Sequence, residues 1–92
     1  MHLEIVTPEA ILFTGEVTSV AVPGVNGEFQ MLDNHAPIVA SLGEGNVKVY
    51  GNITLDEAVA DRFSKGEQGV TVLQIHSGTV EMKDNKVIVL AD

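Results

Sequence analysis

Cysteine and tryptophan are absent from this chain, aromatic residues make up only 4%, and 5 basic residues face 13 acidic ones. Each shortage excludes something. Without cysteine there is no disulfide, no thiol nucleophile and no cysteine-ligated zinc. With so few aromatics, aliphatic side chains must supply the core. A formal charge of -8 argues against nucleic acid and against anionic lipid as partners, because both are bound by neutralising phosphates. Long apolar runs are missing too: Ala10 to Phe13 and Val87 to Leu90 are far too short to span a bilayer. Met1-His2-Leu3-Glu4 lacks the basic region and apolar stretch of a secretion signal. What remains is a soluble, acidic, cytoplasmic protein without direct lipid insertion. At 92 residues and 45% hydrophobic, it has room for one core and one domain, 1–92.

Period-two alternation runs through most of the chain, which predicts strands. His2 to Val6 puts Leu3 and Ile5 on one face, and Thr7-Pro8 ends the run because proline cannot donate to a ladder. Ala10 to Val22 is a long extended stretch in which Gly15 predicts a bulge or bend. Pro23 to Gly27 is a tight turn whose Asn26-Gly27 pair supplies positive φ, and Glu28 to Leu32 follows as a strand with Phe29 and Met31 on one face. Asp33 to Pro37 is a second turn, Ile38 to Leu42 a strand, and Gly43-Glu44-Gly45 leads into Val47 to Tyr50. Val70 to His76, Thr79 to Met82 and Val87 to Leu90 complete the strands, with Asp84-Asn85 as a two-residue hairpin turn. About ten short strands at regular spacing predict an all-β sandwich of two antiparallel sheets. Leu3, Ile5, Val20, Val22, Phe29, Val49, Val72 and Val89 are the expected core. Thr54 and Glu57 fit a capping box, and Leu55, Ala58, Val59 and Phe63 recur at helical spacing before Lys65-Gly66. That predicts a short helix near 55–65, with an acidic surface loop as the competing reading.

Chemistry-bearing constellations are sparse. His2, His35 and His76 are far apart, and Asp33 with His35 is the one local pair of metal-ligand type, where zinc requires three or four converging ligands. His76 and Ser77 are strand neighbours, so their side chains diverge, and no nucleophile-elbow motif surrounds the serine. Gly24-Val25-Asn26-Gly27 lacks the lysine of a phosphate loop and leads into a strand. No catalytic, metal or cofactor site is expected. Apolar residues do occur on both sides of several strands: Ala10 to Phe13, Ile38 to Ala40 and Val87 to Leu90. A second apolar face points to contact with another chain, unless the 54–66 segment lies over it.

The order of motifs resembles the N-terminal β-sandwich domain of the epsilon subunit of F-type ATP synthases. His2-Leu3-Glu4-Ile5-Val6 is similar to that family's first strand, and Leu12-Phe13-Thr14-Gly15-Glu16-Val17 to its strand with F-[ST]-G-x-V. Gly24 to Phe29 matches the family's G-x-x-G-E-[LF] turn, and Asn34-His35-Ala36-Pro37 its [GN]-H-A-P signature. Val87 to Asp92 matches the closing strand. The resemblance covers about 2–50 and 70–92. It leaves 51–69 unassigned, and Ser77-Gly78-Thr79 replaces the family's Gly-Gly.

The resemblance implies a non-catalytic central-stalk subunit, peripheral on the cytoplasmic side of a bacterial inner membrane, joining the gamma subunit to the c-ring. It implies a gamma surface around Leu12, Ala36, Ile38 and Val39 and a ring contact through Val25, Asn26, Glu28, Asp33 and His35. It implies no cofactor and no small-molecule substrate. Since the sequence ends at Asp92, inhibition through the C-terminal helices found in many members is not expected. A free-standing β-sandwich binding module and a small enzyme built on Asp33, His35 and Ser77 are the alternatives from other classes.

Overall fold

A computed structural model describes residues 1–92. Ten strands form: β1 (His2–Val6), β2 (Ile11–Glu16), β3 (Ser19–Gly24), β4 (Gly27–Leu32), β5 (Ile38–Leu42), β6 (Gly45–Tyr50), β7 (Phe63–Lys65), β8 (Thr71–Ile75), β9 (Gly78–Lys83) and β10 (Lys86–Ala91). One layer runs β2-β1-β10-β9-β5, and the other runs β4-β3-β6-β8-β7. The layers meet at a single bridge, Gly24 opposite Leu42, so a curled sheet wraps one core. The sandwich expectation holds with one difference in direction. β1 and β10 pair in parallel, and every other pair is antiparallel.

Register explains the core. Leu3 and Ile5 sit opposite Val87 and Val89, which sit opposite Met82 and Val80. In the second layer Val20 lies between Met31 and Val49, and Val47 faces Leu73. All of these side chains are buried. Of the expected core, Phe29 is half-buried and Val72 lies on the outer face, because β8 turns Thr71, Leu73 and Ile75 inward instead. The strand is apolar on both sides, so alternation alone could not choose its face.

Two turns carry special geometry. Asp84 and Asn85 both have positive φ (53° and 61°), the requirement of a type I′ hairpin. In the β3–β4 turn Gly27 carries the positive φ of 122°, while Asn26 does not. Gly78 is required for a different reason: a Cβ there would run into the Leu90 carbonyl.

The bulge falls near Leu12 rather than at Gly15. Ile5 pairs with Phe13 but Val6 pairs with Ile11, so Leu12 is the extra residue. Both Leu12 and Phe13 therefore point inward, and both are buried.

The expected helix near 55–65 does not form. Asp56, not Thr54, caps the local turn: its Oδ1 accepts the Ala58 N–H at 2.9 Å. A single 3-10 turn covers Ala60–Arg62, and Phe63–Lys65 then pairs with β8. A helix of under three turns is marginal by itself, whereas the open edge of β8 offers ladder bonds and a place for Phe63 opposite Leu73. Ile53, Leu55, Val59 and Phe63 pack against the core as half-buried residues.

Candidate docking surfaces

The structure brings part of the expected surface together around one cleft. The β3–β4 hairpin tip, Val25-Asn26, leans across β5: Val25 N–H donates to the Ser41 carbonyl at 3.1 Å and Gly43 N–H to the Pro23 carbonyl at 2.8 Å. β4 and β5 are not paired with each other. Between them lies a cleft of about 500 Å³, lined by Gly24 to Phe29 and by Val39, Ala40 and Ser41. Val25 is 63% exposed and Val39 76%, so its two mouth residues are apolar and wet.

Glu28 sits at the base of the hairpin on the outer face. Its carboxylate is 3.0 Å from Lys48 Nζ, and this hydrogen bond raises the lysine pKa above its ordinary value. Ala21 is opposite both Gln30 and Lys48, so the ion pair spans the small residues of β3. That cover leaves Ser19, Ala21 and Pro23 buried on a face that would otherwise be open.

Asp33 and His35 lie elsewhere. β4 runs from Gly27 to Leu32, and at roughly 3.4 Å per residue it separates them from the hairpin tip by about 17 Å. At that far end the Met1 ammonium donates to Asp33 Oδ1 at 2.7 Å and to the Val17 carbonyl at 3.2 Å. Asn34 N–H donates to Asn85 Oδ1 at 2.7 Å. The ammonium, and after it the Asn85 side chain, hold the Asp33 carboxyl below the ordinary carboxylate range, and Asp33 in turn raises the ammonium pKa. His35 Nδ1 lies 2.8 Å from the Ala36 carbonyl oxygen, within its own loop. The two halves of the expected ring contact thus occupy opposite ends of one strand. No group of three or more His, Asp or Glu side chains converges on a metal-sized point.

Among the expected gamma-facing residues, Val39 and Ala36 are exposed and Ile38 is half-buried. Leu12 is a correction. It is 1% exposed, turned inward by the bulge, and offers no surface. Its neighbour Ile11 is the outward residue at 60%. Ile11, Val6 and Leu90 stand side by side across β2, β1 and β10, an apolar row that was not among the residues expected to face gamma. The signal was present in the two-sided apolar pattern of 10–13 and 87–90. What was missing was the bulge, which decides which of Ile11 and Leu12 faces out.

Comparison with known proteins agrees with the fold. The family model described as the ATP synthase delta/epsilon chain β-sandwich domain matches residues 1–92. The ATP synthase epsilon chain of Leptospira interrogans is 39% identical over 92 residues, covering 100% of this chain and 61% of that protein. The epsilon chain of Chlorobium limicola is 39% identical over 90 residues, covering 98% and 86%. In a solved Tetrahymena thermophila mitochondrial ATP synthase central stalk and c-ring, one chain is similar with a TM-score of 0.71 at 12% identity, covering 98% of this chain and 61% of its own length. A Euglena gracilis mitochondrial ATP synthase chain gives 0.72 at 18% identity, covering 97% and 48%. The structural likenesses speak for the fold, and the family model with the sequence relatives for descent. The chain belongs to the delta/epsilon β-sandwich family of ATP synthase.

Proposed function

We propose that this domain is a non-catalytic rotor element of a proton-translocating F-type ATP synthase, tying the gamma subunit to the membrane c-ring so that rotation passes between them. It would sit peripherally, on the cytoplasmic side of a bacterial inner membrane. None of its helices is long and apolar enough to cross one. The observation that carries the reading is the pair of exposed apolar residues, Val25 and Val39, on opposite lips of one cleft. Side chains of this kind mark contact surfaces when they cluster.

Gamma then packs along β5 and the loop before it, through Ala36, Ile38 and Val39. The ring meets the hairpin tip, Val25 and Asn26, with Glu28 at its base. Asp33 and His35 leave the ring set, since one surface cannot meet both ends of β4 end-on. A joint that bears torque needs area in the class of roughly 1,600 Å² or more. The net charge of -8 favours basic loops on the partners and faster, better-oriented encounter. Each rim ion pair adds no more than about 0–1 kcal/mol and weakens in salt. The chain spans 61% of the length of the Leptospira relative.

Val39→Asp is the decisive variant. It should leave the chain folded, by circular dichroism, while abolishing co-purification with gamma. Retained binding would refute the assignment of β5 to gamma, and an unfolded variant would return Val39 to the core.

A further inference from the structure

The open edge of β5 carries more than side chains. Residues of a strand point their N–H and C=O groups to alternate sides. Ser41 and Gly43 turn theirs toward β3, where Val25 N–H reaches the Ser41 carbonyl and Gly43 N–H reaches the Pro23 carbonyl. Val39, two residues before Ser41, must face the same way. There β3 has already ended in its hairpin, because the only β3–β5 bridge is Gly24 with Leu42. Ile38 and Ala40 face the other side and are satisfied by β9, opposite Met82 and Val80. The N–H and C=O of Val39 therefore open onto the cleft between β5 and β4, which is itself an edge strand paired on one side with β3 alone.

Natural sheets protect such edges or use them. On the opposite side of the sandwich β7 pairs with β8, so that the chain fills an edge with its own segment. At the β4–β5 seam it does not.

We propose that this seam receives an extended backbone segment of the gamma subunit, which pairs with the Val39 N–H and C=O and continues the β2-β1-β10-β9-β5 layer by one strand. The inference rests on the function proposed above. The chemistry of the seam states what that segment should look like. Val25 and Val39 call for a small apolar side chain on the strand. Glu28 lines the cleft and Glu81 lies opposite Val39 on β9. Lys48 is already held by Glu28 at 3.0 Å, so a basic side chain on the incoming strand would find Glu81 without an ion-pair partner. This is strand addition, in which main-chain bonds give affinity and alternate side chains give specificity.

The test compares amide hydrogen exchange in the chain alone and in its complex with purified gamma subunit. In the free chain the Val39 amide should exchange rapidly while Ala40 is protected, and in the complex Val39 should slow by at least roughly tenfold. Val39→Pro removes that donor at an edge position where proline is tolerated, and should weaken gamma binding by roughly tenfold, the upper end for one lost main-chain bond. Val39→Ala keeps the donor and should weaken it less. If the complex forms with the Val39 amide still exchanging at its free rate, strand addition is wrong while the stalk assignment stands, and that outcome needs no variant to fold. If wild-type chain and gamma form no complex, both fall together.

Discussion

The two sides of this sandwich solve the same problem in opposite ways. Next to β2 and β8, the 51–69 segment crosses the opening: Thr54 and Asp56 come to lie beside Ile11 to Thr14, and Ile53, Leu55, Val59 and Phe63 pack onto the core. Next to β4 and β5 nothing of the chain covers the gap, and Val25 and Val39 stay exposed at 63% and 76%. Loops that cover an edge stabilise the monomer, whereas an edge left bare is an interaction surface or a hazard. Substitutions on the covered side should thus act on stability, and those on the bare side on association.

The sharpest separation is expected between Leu12 and Val39, both expected from the sequence to be contact residues. Leu12→Ala removes a fully buried side chain and should cost roughly 2–5 kcal/mol, read as a shifted denaturation midpoint with unchanged slope. If Leu12→Ala were as stable as wild type, the bulge in β2 would be wrong and Leu12 would return to the surface. Phe63→Ala comes next. The ring is half-buried on the covering segment, so about 2 kcal/mol is expected, below the range for a full aromatic truncation. Chemical denaturation of this variant should show the covering side losing stability without any loss of gamma binding.

How much of this was legible in the sequence depended on whether local chemistry or long-range pairing set the outcome. The Asp84-Asn85 turn and the strands His2–Val6 and Ile38–Leu42 follow from residue types and period two alone. The 51–69 segment misled because Leu55, Ala58, Val59 and Phe63 suit a helix equally well. Its fate was decided by the edge of β8, a partner that lies beyond any local window. The two turns expected to share the ring contact, Val25 to Glu28 and Asp33 to His35, lie at opposite ends of one strand for a simpler reason. Near neighbours in sequence are far apart in space when an extended strand joins them, and β4 is such a strand. The bulge that buried Leu12 leaves no mark except two consecutive apolar residues, which also fit a two-sided strand.

On the bare side the expected stability effects are small. Val25→Asp and Val39→Asp should each lie within about 0.5 kcal/mol of wild type, as surface substitutions do. Val39→Asp should nevertheless abolish co-purification with gamma, and Val25→Asp should reduce co-purification with the c-ring. Thermal melting that fell by as much as in Phe63→Ala would erase the distinction between the two sides.

The smallest effect should come from the clasp at the far end of β4, and its sign is fixed by charge. Asp33 has a lowered pKa, first because it accepts a hydrogen bond from the Met1 ammonium. A group depressed in the folded state contributes stability that is present above its unfolded value and is lost as pH falls through the folded one. The Met1 ammonium, raised by the same contact, contributes stability that is full below its unfolded value and is lost as pH rises through the folded one. The clasp is therefore strongest across the neutral range and fades at both extremes. Asp33→Asn should flatten the acid limb of a stability–pH curve by lowering stability in the neutral range while leaving the acid end little changed. It should also reduce the salt sensitivity of the loop, because the contact is exposed on the Asp33 side and is screened. Amide exchange at Asn34, whose N–H is held by Asn85, provides the local readout. Its protection, measured against the intrinsic exchange rate at each pH, should fall on acidification in the wild type and be less pH-dependent in the variant. Identical acid profiles would mean that the loop is held by Asn85 alone and that the ammonium contributes nothing to its position.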